Sequence, residues 1–192
     1  MRLMDAALDL LAERGEDGVT LRELTDAAGA NVAAVSYHFG SLRALCDAAI
    51  EQALERYLDA QGAAVSGLGP ASTIEDAAAA FARPMIRALA AGGRDLDVMR
   101  IVARAGIDPP AAWERFDARF ERTRAGIVRA LHANLPDVKR DELIFRTRAA
   151  AGLMNWLALA PLGSVLRKKS ERQIERWLIP VIAGAFRGSS TG

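Results

Sequence analysis

Apolar residues recur along this chain with the spacing of helices rather than strands. Near its start, the positions i, i+3, i+4, i+7 and i+8 are apolar, and they are occupied by Leu3, Ala6, Ala7, Leu10 and Leu11. This spacing is typical of the buried face of an amphipathic helix. Alanine and leucine, both good helix formers, supply much of the apolar content, and β-branched residues do not alternate as a strand requires. The pattern predicts an all-α protein of about nine helices.

Capping residues divide the first fifty residues into short helices. Thr20 and Glu23 form a capping box at the start of the second helix, and Gly29 ends it. Asn31 caps a third short helix, and Ser41 caps a longer fourth one. Three short helices with a tight glycine turn between the second and third predict a helix-turn-helix, whose third helix presents its outer face to the major groove.

Glycine, proline and capping residues mark the bounds of the later helices. Pro84 should kink the predicted helix over residues 73–91. The Gly-, Ser- and Ala-rich segment 62–72 is the best candidate linker. We assign residues 1–50 to a DNA-binding domain and 51–192 to a second domain. The predicted helices from the fourth onward cover 41–61, 73–91, 95–105, 110–134, 137–160 and 170–186, with a turn at 161–163 and a basic connector at 167–169.

The motifs of the first fifty residues resemble the DNA-binding domain of the TetR family of repressors. The resemblance rests on residues 18–24 (GVTLREL), 28–30 (AGA) and 37–41 (YHFGS). It covers about a quarter of the chain, and the later helices match that family only in number and length. It implies a repressor that binds double-stranded operator DNA through domain 1–50. Domain 51–192 is then implied to bind a small effector and to form the homodimer.

The resemblance also implies which residues contact operator DNA. Thr20 and Tyr37 contact phosphates, and Arg22 reaches a base edge or a phosphate. Arg43 substitutes for a phosphate anchor, since Leu42 stands where the family often has lysine. The third helix carries the other predicted contacts, which are Asn31, Val32, Ala33, Ala34, Ser36 and His38. Because this helix has few side chains for bidentate base reading, we expect Val32 and Ala33 to contact thymine methyl groups.

The charge of the N-terminal region argues against phosphate binding. Five arginines and ten acidic residues give residues 1–57 a net charge of −5, whereas the whole chain carries +1. Most of these acidic residues fall on the first and fourth helices or the first loop, away from the predicted groove face. Helix N-terminal amides at Thr20 and Asn31, with two domains per dimer, can supply the attraction. A basic arm preceding the first helix would supply more.

Aromatic and methionine side chains on the middle helices predict an apolar effector pocket. The predicted pocket residues are Phe81, Met85, Met99, Trp113, Phe116, Phe120 and Met154. At helical spacing the same residues also suit an ordinary core. Because titratable side chains are scarce among them, we expect a largely hydrophobic effector. An arginine turned inward would favour a carboxylate, and the candidates on these helices are Arg83, Arg87, Arg100 and Arg104.

Apolar stripes on the last two long helices predict a homodimer. The predicted interface residues are Ile144, Ala151, Asn155, Ile174, Trp177, Leu178 and Ile182. The stripes alone also suit an intramolecular core. The family resemblance implies instead that the two helices meet their symmetry mates in a four-helix bundle, and a two-fold dimer suits a two-fold operator.

Other chemistry finds little support in the sequence. A single cysteine, Cys46, excludes an internal disulfide and a cysteine-based zinc site. There is no Gly-rich phosphate loop, Ser-His-Asp order or His-x-x-x-His pair, so we predict no enzyme, no metal and no cofactor. The longest apolar run, 149–162, is too short to span a bilayer. Without a signal peptide, the sequence predicts a cytoplasmic protein with no membrane partner.

Two other functions stay open at this point. The same fold could serve a structural DNA-binding factor that recruits a protein partner, and a filled middle core would favour it. A helical enzyme is the second alternative, which a polar cluster inside the cavity would support.

Overall fold

Helices make up every regular element in the computed structural model, which describes residues 2–160, 165 and 169–188. The helices are α1 (Arg2–Arg14), α2 (Leu21–Ala28), α3 (Val32–Phe39), α4 (Leu42–Ser66), α5 (Ile74–Ala91), α6 (Gly93–Ile107), α7 (Glu114–Asn134), α8 (Arg140–Leu159) and α9 (Glu171–Arg187), with a 3-10 turn over Ala111–Trp113. No strand occurs in these ranges, which confirms the all-α prediction. The predicted turn at 161–163 and connector residues 167 and 168 lie outside the described residues.

The N-terminal region is held by a core that α1, α2, α3 and α4 share. Leu11, Leu24, Val35 and Leu45 are almost completely removed from solvent within it. Val35 and the half-buried Phe39 of α3 turn toward this core. α4 then continues into the second region, where its later residues pack against α5, α6 and α7. The two regions are therefore joined by one continuous helix rather than by a linker.

The second region forms around a tight pairing of α5 with α9, flanked by α7 and α8. Ile86, Leu131, Leu143, Ile182 and Phe186 are buried in its core. α6 contacts α1 and α4 on one side and α5 and α8 on the other. Like α4, it therefore touches the cores of both regions.

The predicted end of α4 is wrong, because the helix continues past Gly62 to Ser66. The continuation places Val65 against Gly126 of α7, where a Cβ on Gly126 would lie 2.5 Å from Val65 Cγ1. This close packing supports a last turn that the Gly- and Ser-rich sequence does not favour by itself. The predicted linker 62–72 therefore shortens to the residues between α4 and α5.

The starts of three later helices also differ from the prediction. α6 begins at Gly93 rather than at residue 95, and the 3-10 turn delays α7 to Glu114. Asp137 does not cap α8, because the Val138 N–H donates to the Leu135 carbonyl at 3.1 Å and closes a turn first. Lys139 takes the cap position without a side-chain bond.

Pro84 lies inside α5, and the helix continues on both sides of it. Proline has no N–H to donate to the carbonyl four residues earlier, so the Ala80 carbonyl loses its helical partner. The Nε2 of Gln61 on α4 donates to that carbonyl instead, at 3.4 Å. The break in the ladder of α5 is thereby repaired from a neighbouring helix.

None of the described helices combines the length and apolarity needed to cross a bilayer.

Candidate DNA-binding and effector sites

The turn between α2 and α3 is built from local hydrogen bonds. Gly29 ends α2 with a φ of 57°, in the left-handed region that glycine enters without strain. The Ala30 N–H donates to the Thr25 carbonyl at 2.9 Å and closes the motif. Asn31 then starts α3, because its Oδ1 accepts from the Ala34 N–H at 2.8 Å. These bonds fix the orientation of α3 relative to α2.

The outer face of α3 is exposed as a helix-turn-helix requires. Val32, Ala33, Ser36, Tyr37 and His38 are open to solvent, and Tyr37 retains 85% of its accessible surface. The Tyr37 and His38 rings meet edge to face with centroids 5.0 Å apart. Of the residues predicted to contact DNA, only Ala34 turns partly into the core.

Two of the predicted contacts already have partners in the helix caps. The Thr20 hydroxyl donates to Glu23 Oε2 at 2.6 Å and accepts from the Glu23 N–H at 3.3 Å. A hydrogen bond from Thr20 to a phosphate therefore has to replace the bond to Glu23. The hydrogen bond from Thr20, with one from Arg14, lowers the pKa of Glu23. Asn31 uses its Oδ1 in the α3 cap and keeps only its NH2 group for a DNA contact.

The two arginines predicted to contact DNA differ in their surroundings. Arg22 is exposed and only loosely paired, with its Nε 3.9 Å from Asp26. Arg43 instead lies 2.7 Å from Glu16 and 3.4 Å from Asp47. These contacts place it at the rim of the cleft beneath α6. A phosphate contact from Arg43, whose side chain is 61% exposed, therefore has to replace these ion pairs. Burial in the same cleft raises the pKa of Glu16.

Several acidic residues of the N-terminal region are neutralised by arginines of the second region. Arg94 at the start of α6 lies 3.5 Å from Asp5 and 2.8 Å from Asp9 on α1. Arg115 forms an ion pair with Glu51 on α4. The net charge of −5 therefore overstates the negative potential near α3, because these pairs lie at the junction of the two regions.

A cavity of about 450 Å³ opens between α4, α5, α6, α7 and α8. One wall is aromatic, since Trp113 and Phe120 stack with centroids 4.2 Å apart and Tyr57 lies 6.1 Å from Phe120. Burial raises the pKa of Tyr57 to about 12, so its hydroxyl stays neutral. The cavity is large enough for a small organic molecule.

The predicted pocket residues divide into three groups. Phe81, Trp113 and Phe120 line the cavity. Met85, Met99 and Met154 line a small neighbouring cavity of about 30 Å³, whose wall also includes Phe81. Phe116 is misassigned, because it is buried in the core shared with the N-terminal region and lies outside the cavity wall.

Polar residues in the cavity wall escaped the sequence prediction. Gln61 and Tyr57 come from α4, Arg124 from α7, and Arg148 and Asn155 from α8. None of the arginines proposed on α5 and α6 lines this cavity among the described residues. These side chains are brought together only by the packing of helices that are distant in sequence, so no local sequence motif predicts them.

The predicted interface residues mostly face the interior of the protomer. Ile174, Leu178 and Ile182 are buried in the second core, and the prediction is wrong for them because a partner subunit could not reach their side chains. Ile144 is half-buried against the same core, while Ala151 and Asn155 line the cavity. The large apolar side chains exposed on α8 and α9 are Phe145, Trp156, Trp177 and Val181.

Solved structures of very different sequence share this fold. A TetR-family transcriptional regulator, PfmR from Thermus thermophilus, is 18% identical, with 100% of this chain and 97% of that chain covered and a TM-score of 0.65. A TetR-like regulator from a Rhodococcus species is 16% identical over 98% and 95% of the two chains, with a TM-score of 0.69. AibR, solved with isovaleryl coenzyme A and operator DNA, is 14% identical over 93% and 95%, with a TM-score of 0.71.

Family models match both regions of the sequence. Residues 3–49 match the model of bacterial regulatory proteins of the tetR family. Residues 79–185, more than half of the chain, match the tetracyclin repressor-like C-terminal domain. A search of curated protein sequences finds no match. The match to both family models, on a helix-turn-helix with an exposed third helix, establishes that the chain belongs to the TetR family of transcriptional regulators.

Proposed function

We propose that this protein is a homodimeric repressor that leaves its operator when a small effector binds the cavity between α4 and α8. The observation that carries the proposal is the exposed face of α3, held by the caps and glycine turn of a TetR-type DNA-binding domain. The ligand-sized cavity in the second region supports the effector half of the proposal.

The outer face of α3 enters the major groove, where Val32 and Ala33 contact bases and Ser36 and Tyr37 contact the backbone or base edges. These side chains are exposed and, on one face of a short helix, reach the groove together. Arg22, the loosely paired arginine at the start of α2, adds a phosphate or base contact.

Two protomers associate through the exposed apolar side chains of α8 and α9. Phe145 and Trp156 lie eleven residues apart, three turns along α8, and therefore on the same side of that helix. Trp177 and Val181 lie one turn apart on α9. Large apolar side chains on neighbouring helices are typical of a homodimer interface.

Effector binding reaches the DNA-binding region through the end of α6. Ile107 and Pro109 line both the effector cavity and a second cleft. That cleft reaches Arg14 at the end of α1 and Gly15 and Glu16 in the loop that follows. One turn earlier, Arg104 Nη2 donates to the Glu13 carbonyl at 3.0 Å. A ligand that displaces Ile107 therefore moves a helix hydrogen-bonded to α1, and changes the separation of the two α3 helices.

A structural DNA-binding factor that recruits a protein partner is the second candidate. Such a protein needs no ligand, and a filled middle core would favour it. The cavity of about 450 Å³ favours the effector-responsive regulator instead.

The proposal is tested by selecting duplexes from a random DNA pool with the purified protein and measuring their affinity by fluorescence anisotropy. Compounds that raise the melting temperature of the protein are then added to the complex. We expect some of them to weaken DNA binding by about 5- to 150-fold. If stabilising compounds bind the cavity and leave DNA affinity unchanged, the protein is not effector-released.

A further inference from the structure

The wall of the effector cavity contains a hydrogen-bond acceptor that the protein itself leaves without a partner. Gln61 is almost fully buried, at 2% exposure, and belongs to the cavity wall. Its Oε1 has no hydrogen-bond partner among the described residues. A buried polar group in this condition carries a desolvation cost that a ligand can remove.

Pro84 determines which atom of the Gln61 amide is left free. Because Pro84 cannot donate to the Ala80 carbonyl, that carbonyl requires a donor from elsewhere, and Gln61 Nε2 supplies it. A flipped amide would set Oε1 against the carbonyl oxygen, and two acceptors repel. The orientation is therefore fixed with Oε1 unpartnered. Because this atom is closed to water in the structure, a guest reaches it by displacing the side chains that cover it.

A second polar feature lies where α7 meets α8. Arg124 and Arg148 both line the cavity and share a single carboxylate, Glu121. Arg124 forms a close pair with Glu121, whereas Arg148 Nη2 stays 3.7 Å away and is largely exposed. Two guanidinium groups on one carboxylate leave a positive charge over. Asp117, also in the wall, balances this charge over the cavity as a whole. It lies seven residues before Arg124, about 10 Å along α7, so the positive charge is local to the contact of α7 with α8.

We propose that the effector is a flat aromatic acid that donates a hydrogen bond to Gln61 Oε1 and places its anionic group beside Arg124 and Arg148. The stacked rings of Trp113 and Phe120 provide an aromatic wall for its body. The inference rests on the proposed effector function of this cavity. It narrows the largely hydrophobic effector that the sequence predicts to an aromatic acid with a hydrogen-bond donor.

The test uses three naphthalene compounds that differ in one group each. 6-Hydroxy-2-naphthoate carries the donor and the acid, 6-methoxy-2-naphthoate lacks the donor, and 2-naphthol lacks the acid. Calorimetric titration of the full chain should give the hydroxy acid a Kd about tenfold lower than that of the methoxy acid. The Kd of 2-naphthol should be several-fold higher than that of the hydroxy acid.

Matched variants assign each preference to its residue. Gln61→Met keeps the length of the side chain and should abolish the preference for hydroxyl over methoxy. Pro84→Ala returns a backbone donor to Ala80, frees the amide to rotate, and should reduce the same preference while leaving Gln61 in place. Arg148→Gln should weaken both acids several-fold and leave 2-naphthol unchanged. If Gln61→Met does not fold, the preference for the hydroxy acid over the methoxy acid is compared between the wild type and Pro84→Ala, and an unchanged preference would contradict the role of Gln61.

Equal affinities of the hydroxy and methoxy acids for the wild type would overturn the inference, as would a preference that survives Gln61→Met. Failure of all three compounds to bind counts against it too. The proposed function is read separately, by anisotropy of bound DNA. Release of DNA by purely apolar compounds would keep the repressor and refute the ligand class. Binding that depends on the hydroxyl donor but does not release DNA would support the ligand class and refute the effector-released repressor.

Discussion

The N-terminal region and the region around the cavity satisfy their polar groups in different ways. In the first, Thr20, Asn31 and Ser41 each accept a hydrogen bond from a backbone N–H three residues later. In the second, Gln61 reaches Ala80 on another helix, and its Oε1 is left without a partner in the described chain. Glu16 and Asp47 of the first region also have buried oxygens without a hydrogen bond, but both are ion-paired with Arg43. Local capping bonds hold one shape, whereas an acceptor with neither a hydrogen bond nor an ion pair in a cavity wall favours a guest.

The two regions also differ in packing, since the core of the first is closed and the second contains a cavity. Leu24, Val35 and Leu45 are at most 1% exposed, so the core beneath α3 is closed to water. The second region keeps a cavity of about 450 Å³ between five helices. We infer that the first region acts as a rigid frame for α3 and that the second adapts to what it binds.

The largest effect on unfolding free energy should come from placing a charge at a buried apolar position of the second region, and an exposed apolar position provides the comparison. Ile182→Glu puts an unpaired charge into a closed core and should cost more than about 4 kcal/mol of unfolding free energy. Trp156→Glu changes an exposed side chain, and should leave the protomer folded but dissociate the dimer. Thermal melting by circular dichroism and sedimentation equilibrium distinguish the two results. A Trp156→Glu dimer as tight as the wild type would refute the proposed interface.

A smaller effect is expected at Arg22. Arg22→Ala removes an exposed and loosely paired guanidinium, so unfolding free energy should stay within about 0.5 kcal/mol. Operator affinity should fall by roughly 1–3 kcal/mol if the side chain reads a base, with weaker discrimination at one position. Anisotropy on the selected duplex and on single-base variants measures both. Arg56→Ala serves as the control, since Arg56 is an exposed arginine of α4 that pairs with Asp95 at 3.4 Å and is not among the predicted contacts.

Tyr37→Phe should have a smaller effect still. The hydroxyl of an almost fully exposed tyrosine has no role in the core, so melting should not change. Loss of one phosphate hydrogen bond should cost about 1 kcal/mol of DNA affinity. An unchanged affinity in the same anisotropy assay would remove Tyr37 from the contact surface.

The smallest perturbation tests whether the N-terminal core is closed. Cys46 is buried there, and burial raises the pKa of its thiol to about 11. Because the thiolate is the reactive form, Cys46 should react with a disulfide reagent at pH 8 about a hundredfold more slowly in the native protein than in denaturant. Rapid labelling of the native chain would contradict the rigid frame.

The sequence predicts the first region well because its signals are local. The caps at Thr20 and Asn31 and the glycine turn at Gly29 each act within a few residues, so α2 and α3 begin and end where expected. The last turn of α4 could not be predicted in this way. It depends on Val65 meeting Gly126, sixty-one residues later in the chain.

The interface prediction failed for a related reason. Apolar residues cover so much of α9 that the stripe read from the sequence includes residues on both its buried and its exposed side. Leu178 and Ile182 pack inward, while Trp177 and Val181 lie on the exposed side. Periodicity identifies apolar positions, but only the position of α5 against α9 decides which of them the protomer buries.

The central claim, that the outer face of α3 binds DNA, is tested most directly by adding one negative charge in two places. Ser36→Glu introduces the charge on the exposed face of α3. Gln52→Glu introduces the same charge at an exposed position of α4, about 15 Å along that helix from its start. Anisotropy titrations on the selected duplex should show affinity reduced on the order of a hundredfold for Ser36→Glu, and by less than about threefold for Gln52→Glu. Equal losses for two variants that melt like the wild type would contradict the account.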